Sequence, residues 1–219
     1  TNSDWANWGL MIPYGAPYVD VNMNGKYEPC LDIPGVKDAE ETIFFHITDA
    51  FLERHNPNEG FGGGTAPLYA DIGITYWGYR GFAVNDANFI KWNIINKGTE
   101  SWDSTYFGII SDPDLGDPTD DYIGCDTTLD LSYAYNFDNN DGNGGPYTYG
   151  LNPPATGFLV LKSPKIGNDE LGLTSSTSYE NRAVPFPQCE LDPEIPLEAY
   201  LMVKGYKTDG TVYLNPEFT

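Results

Sequence analysis

The sequence predicts an all-β protein, an antiparallel β-sandwich of jelly-roll or Ig-like type with long loops and at most one or two short helices. Three observations predict it. The hydrophobic content is carried by aromatics, 16 Tyr, 11 Phe and 5 Trp, which favour the pleated, half-buried surface of a sheet. Turn formers are abundant, with 24 Gly and 17 Pro beside many Asn and Asp. The clearest apolar runs have a period of two and are separated by short polar turns. All-β domains commonly reach 219 residues, so one domain spanning 1–219 is the economical reading.

Residues 1–40 hold turn formers without a sustained period and predict an irregular, ion-organised segment. ETIFFHITD (41–49) predicts a strand, and FLERHNPNEGFGGGTAP a long loop whose Gly62, Gly63 and Gly64 need no ligand to explain them. IGITYWGYRGFAV, FIKWNIINKG and STYFGIISD then predict an antiparallel meander. TLDLSYAYNFD predicts a further strand, and the apolar GFLVLKSP one buried in the core. LGLTSSTSYENR is ambiguous; PLEAYLMVKG (196–205) predicts a short helix, and YKTDGTVYLNPEFT a hairpin-like turn at Asp-Gly within an extended segment, 206–219.

Charge narrows the partners. The formal charge is −21, from 32 acidic and 11 basic residues. Nucleic acids and anionic membranes require a positive footprint, so cations are the natural partners. No apolar run approaches the roughly 20 residues that span a bilayer, which argues against membrane insertion. The chain opens without an initiator Met or a signal peptide, so residue 1 is expected to be a processed end. Cys30, Cys125 and Cys189 match no CxxC or haem-attachment pattern. A Cys30–Cys189 disulfide between Pro-rich segments, with Cys125 as a small buried hydrophobe, is the expected arrangement.

Two loops carry metal-ligand chemistry. Asp20-Val-Asn22-Met-Asn24-Gly25-Lys26-Tyr-Glu28 fits the opening of a D-x-[DN]-x-[DN]-G calcium loop. Alternate oxygen-bearing side chains wrap the ion, Gly25 permits the turn, and Lys26 stands at the backbone-carbonyl position. Position twelve is Leu31 rather than a bidentate Glu, so Asp32 or Glu28 must close the shell. The second loop is denser: Asp112, Asp114, Asp117, Asp120, Asp121 and Asp126 fall within fifteen residues and repel one another unless a cation sits among them. Oxygen-only ligands favour Ca2+ over zinc or copper. The competing reading is an Asn-Gly turn with incidental acids for the first loop and a solvated acidic loop for the second. A third cluster, Asp138-Asn-Asn-Asp141-Gly-Asn143, lacks apolar brackets and reads as a mobile turn.

No catalytic residues are nominated. His46 lies in a strand among apolar residues, His55 lies in a loop, and Ser104 and Ser111 have no nucleophile motif around them.

The segments GAPYVDVNMNGKYEP, NIINKGTESWDSTYFGIISDPDLGDPTDDYIGCDTTLDLSYAYNFDNND, YGLNPPATGF and KGYKTDGTVYLNP resemble modular surface proteins exported by the type IX secretion route of the Bacteroidetes and Ignavibacteria. SDPDLGDPTDDYIGCDTTL is the most specific part. The resemblance implies an extracellular or cell-surface, multi-module protein without assigned enzyme activity. It also implies a piece of a longer precursor, or a short relative lacking the C-terminal sorting domain. Such proteins often carry Asp where Asn22 and Asn24 stand here. Asp103-Ser104-Thr105 and Asp126-Thr127-Thr128 resemble the Bacteroidetes O-glycosylation signal.

The expected function is a non-catalytic, calcium-stabilised structural module, a subunit of a surface assembly or filament that associates with itself or with neighbouring surface proteins. The alternative is a carbohydrate-binding or adhesion module presenting Trp5, Trp8, Trp77 or Trp102 to glycans, with a glycoside hydrolase-like enzyme a distant third.

Overall fold

The protein is all-β, with several antiparallel sheets and two short helices. The computed structural model describes residues 3–56, 58, 60–81, 83–142, 145–180 and 186–214. The chain gathers into two compact units, one of residues 1–56 and 65–103, the other of 57–64 and 104–219.

In the first unit, helix α1 (Ser3–Trp8) carries Asp4 in its first turn, where a carboxylate offsets the helix dipole. Strands β1 (Tyr18–Val19) and β2 (Ile33–Pro34) pair across a long loop. The residues expected to be wholly irregular thus hold a helix, a 3-10 turn at Ile12–Tyr14 and a two-residue ladder. Strands β3 (Glu41–Thr48), β4 (Ala70–Gly78) and β5 (Asn88–Asn96) form one sheet in that order. Its register separates two faces. Thr42, Phe44, His46, Gly73, Thr75 and Trp77 share one face, on which the Val36 N–H donates to the Thr42 hydroxyl at 3.0 Å and the Tyr14 ring packs on His46 at 4.9 Å. A Cβ on Gly73 would stand 3.2 Å from the Tyr14 carbonyl oxygen.

The opposite face is apolar at its centre: Ile43–Tyr76–Ile90, Phe45–Ile74–Trp92 and Ile47–Ile72–Ile94 form three cross-strand rows, with Glu41, Asn88 and Asn96 at the ends. Ile43, Phe45 and Ile47 are 46%, 43% and 47% exposed, and Ile90 and Ile94 are exposed as well.

In the second unit, strands β6 (Asp121–Asp126) and β7 (Leu131–Asn136) make a hairpin. Strands β8 (Asn140–Asp141) and β9 (Gly150–Leu151) close a small ladder. Strand β10 (Ala155–Leu159) completes the sheet β10-β7-β6, and β11 (Lys165–Ile166) pairs with β12 (Asp169–Glu170). Helix α2 (Pro196–Val203) starts with Pro, while Glu198 Oε2 accepts the Glu194 N–H at 2.7 Å and so caps the helix start. Residues 171–179 of the ambiguous segment form no helix or strand, and its hydroxyls cap the end of α2: Ser175 Oγ donates to the Val203 carbonyl at 2.8 Å and Thr177 Oγ1 to that of Met202 at 3.2 Å. A Cβ on Gly62 would come within 2.5 Å of the Ile195 carbonyl, which explains why 57–64 belongs to this unit. Leu115, Ala134, Leu191 and Met202 are its buried apolar residues.

Three expectations are corrected. Residues 104–112 form no strand; Tyr106 instead packs edgewise on Tyr200, whose hydroxyl donates to the Ser104 carbonyl at 3.0 Å. Strand β10 is exposed along its length rather than buried, being an edge of its sheet. The cysteines are unpaired thiols, Cys30 and Cys125 exposed and Cys189 half-buried. Cys30 and Cys189 belong to different units, and Cys125 lies on the edge strand β6. Among the described residues no helix is long and apolar enough to cross a membrane.

Candidate metal centres

The first candidate loop joins β1 to β2. Asp20 accepts the N–H groups of Asn24 (3.1 Å, Oδ1) and Gly25 (2.7 Å, Oδ2), and Asn24 Oδ1 accepts that of Lys26 at 2.8 Å. These bonds wind the backbone around side-chain oxygens, with Met23 and Gly25 in the left-handed region at φ 59° and 73°. Glu28 Oε2 accepts from both amides, Asn22 Nδ2 at 2.8 Å and Asn24 Nδ2 at 2.6 Å. Asp32 is fully buried at the loop base, Oδ1 holding the Val21 N–H at 2.9 Å and Oδ2 the Glu28 N–H at 2.7 Å. Asp20, Asn22, Asn24, Lys26, Glu28 and Asp32 therefore share one loop, with Glu28 placed against both Asn side chains. Its charge is felt nearby. Burial first, then Asp20 and Asp32, push the Tyr18 hydroxyl pKa up, and burial and Asp32 do the same for Tyr27.

The second block is divided by the fold. Asp112 is exposed and helps raise the Tyr179 pKa, behind burial. Asp126 sits at the β6–β7 turn, where its Oδ1 accepts the N–H and Oγ1–H of Thr128 at 2.9 and 2.7 Å; these bonds hold its pKa down. Five strand steps separate it from Asp121, about 16 Å at ~3.3 Å per residue. Asp117 makes the same turn with Thr119, again with a lowered pKa.

Asp120 and Asp121 stay together at the start of β6. Asp121 Oδ2 accepts the Leu115 N–H at 2.8 Å. Its pKa is raised, chiefly by burial and then by Asp120, Asp141 and Asp114, against the opposing effect of the Leu115 bond.

Sequence reasoning missed two residues at this place. Asp141 was read as part of a mobile turn, yet it is fully buried in β8, accepting the Asp117 N–H at 2.8 Å and the Tyr149 N–H. Its burial follows from the β8–β9 ladder and from Gly116, where a Cβ would stand 1.9 Å from Asp141 Oδ2. Asn143 of the same cluster lies outside the described residues. Asn136 pairs directly with Asp121 across the ladder and is only 6% exposed. The alternation of Ser132, Ala134 and Asn136 on one face of β7 was the signal that could have found it.

Both donor sets consist of carboxylate and amide oxygens, which suit a hard cation such as Ca2+. Among the described residues no three His, Cys, Asp or Glu side chains converge into a metal-ligand group. Asp117, Asp121, Asp126 and Asp141 each accept backbone N–H groups.

Elsewhere, His46 Nε2 lies 3.7 Å from Asp71 Oδ2, and His55 Nε2 is 2.7 Å from the Asp49 carbonyl oxygen. The Trp8 and Trp102 indoles donate to the Pro17 and Leu68 carbonyls, and Trp77 stacks on Phe89 at 5.6 Å. Trp5 is half-buried in α1. No protein-family model, no curated protein and no solved structure matches the chain.

Proposed function

We propose that this protein is a non-catalytic, calcium-stabilised extracellular structural module, of the type IX-exported surface kind that its sequence resembles, and that it assembles with further copies of itself. One observation carries the assembly: the nine-residue apolar face of the β3-β4-β5 sheet, whose outer rows are exposed. The three rows, about five residues along each of three strands, present a footprint of roughly 240 Å² at about 4.8 Å between strands and 3.3 Å per residue. Exposed apolar patches of a few hundred Å² are often interaction surfaces. The face is about a third of the roughly 800 Å² that a standard interface takes from each partner. The rest comes from the flanks, where among the described residues β3 and β5 each pair on one side only and leave edges open to strand addition.

A second copy suits this face because flat apolar sheets pack face to face about 10 Å apart. The charge of −21 opposes contact everywhere else. Calcium in the acidic loops lowers that repulsion and ties the loops down.

The test follows size by light scattering and unfolding by temperature, with calcium, with chelator, and with calcium restored. The expected outcome is a midpoint that falls on chelation and recovers, together with calcium-dependent association that Phe45→Lys abolishes. A protein that stays monomeric at every calcium level and concentration removes the assembly. Hits on a glycan array would put the carbohydrate-binding alternative ahead.

A further inference from the structure

Three acceptor oxygens in the second unit are buried without a hydrogen-bond partner: Oδ1 of Asp120, Oδ1 of Asp121 and Oδ1 of Asn136. Buried acceptors are normally satisfied, so one cross-strand pair and its sequence neighbour left without partners call for an explanation. They are brought together by the hairpin. Asp121 and Asn136 are directly opposed, which puts their side chains on one face with Cβ atoms about 5 Å apart. Asp120 is fixed one residue earlier by its carbonyl, which accepts the Phe137 N–H at 2.8 Å. Asn136 is more than nine-tenths buried, and its amide nitrogen already donates to the Asp138 carbonyl at 3.2 Å, which leaves Oδ1 as the free end. Among the described residues no Lys or Arg forms an ion pair with Asp114, Asp120, Asp121 or Asp141.

We infer that Asp120, Asp121 and Asn136 are the core of a calcium site at the start of the β6–β7 hairpin. This deepens the calcium-stabilised reading and rests on it. Three properties of the place support it. The free atoms are all oxygens, one of them an amide oxygen, and Ca2+ takes six to eight such ligands while tolerating irregular geometry. The two adjacent carboxylates and the buried Asp141 create a concentrated negative potential that a bound cation relieves. Asp141 is a positioning residue rather than a ligand, because both its oxygens hold backbone N–H groups, those of Asp117 and Tyr149. Those bonds fasten the loop at 115–117 that carries the Leu115 N–H to Asp121. Asp112 and Asp126 lie outside this set.

The test is calcium titration calorimetry with parallel thermal unfolding on the full chain and three variants. Asp121→Asn keeps an acceptor for Leu115 and offers an N–H to Asn136 Oδ1. It should lose one bound calcium per chain and most of the calcium-induced rise in midpoint, while its metal-free midpoint is higher than that of the unaltered protein. A purely structural Asp121 would do the reverse, lowering the metal-free midpoint and leaving the calcium increment intact, and that result overturns the inference. Asn136→Asp retains the oxygen and should bind calcium at least as tightly. Asp126→Asn should leave the stoichiometry unchanged; loss of a calcium there instead would overturn the ligand set. If the unaltered protein binds no calcium, the calcium-stabilised reading fails with the inference. If it binds calcium that Asp20→Asn removes and Asp121→Asn does not, the inference alone fails.

Discussion

Short carboxylate–hydroxyl turns recur along this chain. Asp126 with Thr128 and Asp209 with Thr211 each place one carboxylate oxygen on an N–H and a hydroxyl two residues on. The hydroxyl bond is the leading cause that lowers each pKa. The sign follows directly: a carboxylate whose folded pKa is depressed adds stability above its ordinary range, and that stability is lost as the pH falls through the folded value. Thr211→Val should therefore lower the unfolding midpoint slightly at neutral pH and make no difference in strong acid, a comparison that a thermal series across pH checks. At this scale the sequence was legible for the first loop, because Asp20, Asn22, Asn24 and Glu28 are near neighbours and their bonds are local. It was not legible for Asn136 and Asp141, whose partners Asp121 and Asp117 are supplied by a hairpin and a ladder.

At the scale of elements, Gly116 and Lys204 each hold one piece of the second unit in place. Gly116 has φ 89° and admits the Asp141 carboxylate where a side chain would stand. Gly116→Ala should cost about 2 kcal/mol or more, from the left-handed backbone and the displaced carboxylate together, measured by denaturant unfolding. Lys204 Nζ lies 5.9, 5.1 and 5.8 Å from the ring centres of Tyr106, Tyr200 and Tyr206, and so fastens the 104–110 segment to the end of α2. Lys204→Met should cost on the order of 1 kcal/mol. The strands β3, β4 and β5 were readable because their alternation is long and uninterrupted. The 104–112 run alternates equally well but, among the described residues, finds no strand to pair with, and Tyr106 packs on α2 instead. Alternation reports which residues share a face and says nothing about whether a neighbour arrives.

For the whole molecule, the proposed self-association acts through the open face of the first unit. Burying a few hundred Å² of apolar surface is worth on the order of 10 kcal/mol before association costs, at about 25 cal/mol per Å². Phe45→Lys or Ile94→Lys should keep the chain monomeric while changing its midpoint little, since both side chains are already exposed. Added salt should promote association by screening the charge of −21. The division into two units also makes the molecule its own reporter. All five tryptophans, at 5, 8, 77, 92 and 102, fall in the first unit, and the second has none. Selectively excited indole emission will therefore track the unit that contains Asp20 and Asp32, while circular dichroism tracks both. Calcium-induced shifts at the two loops can be separated in one unlabelled sample.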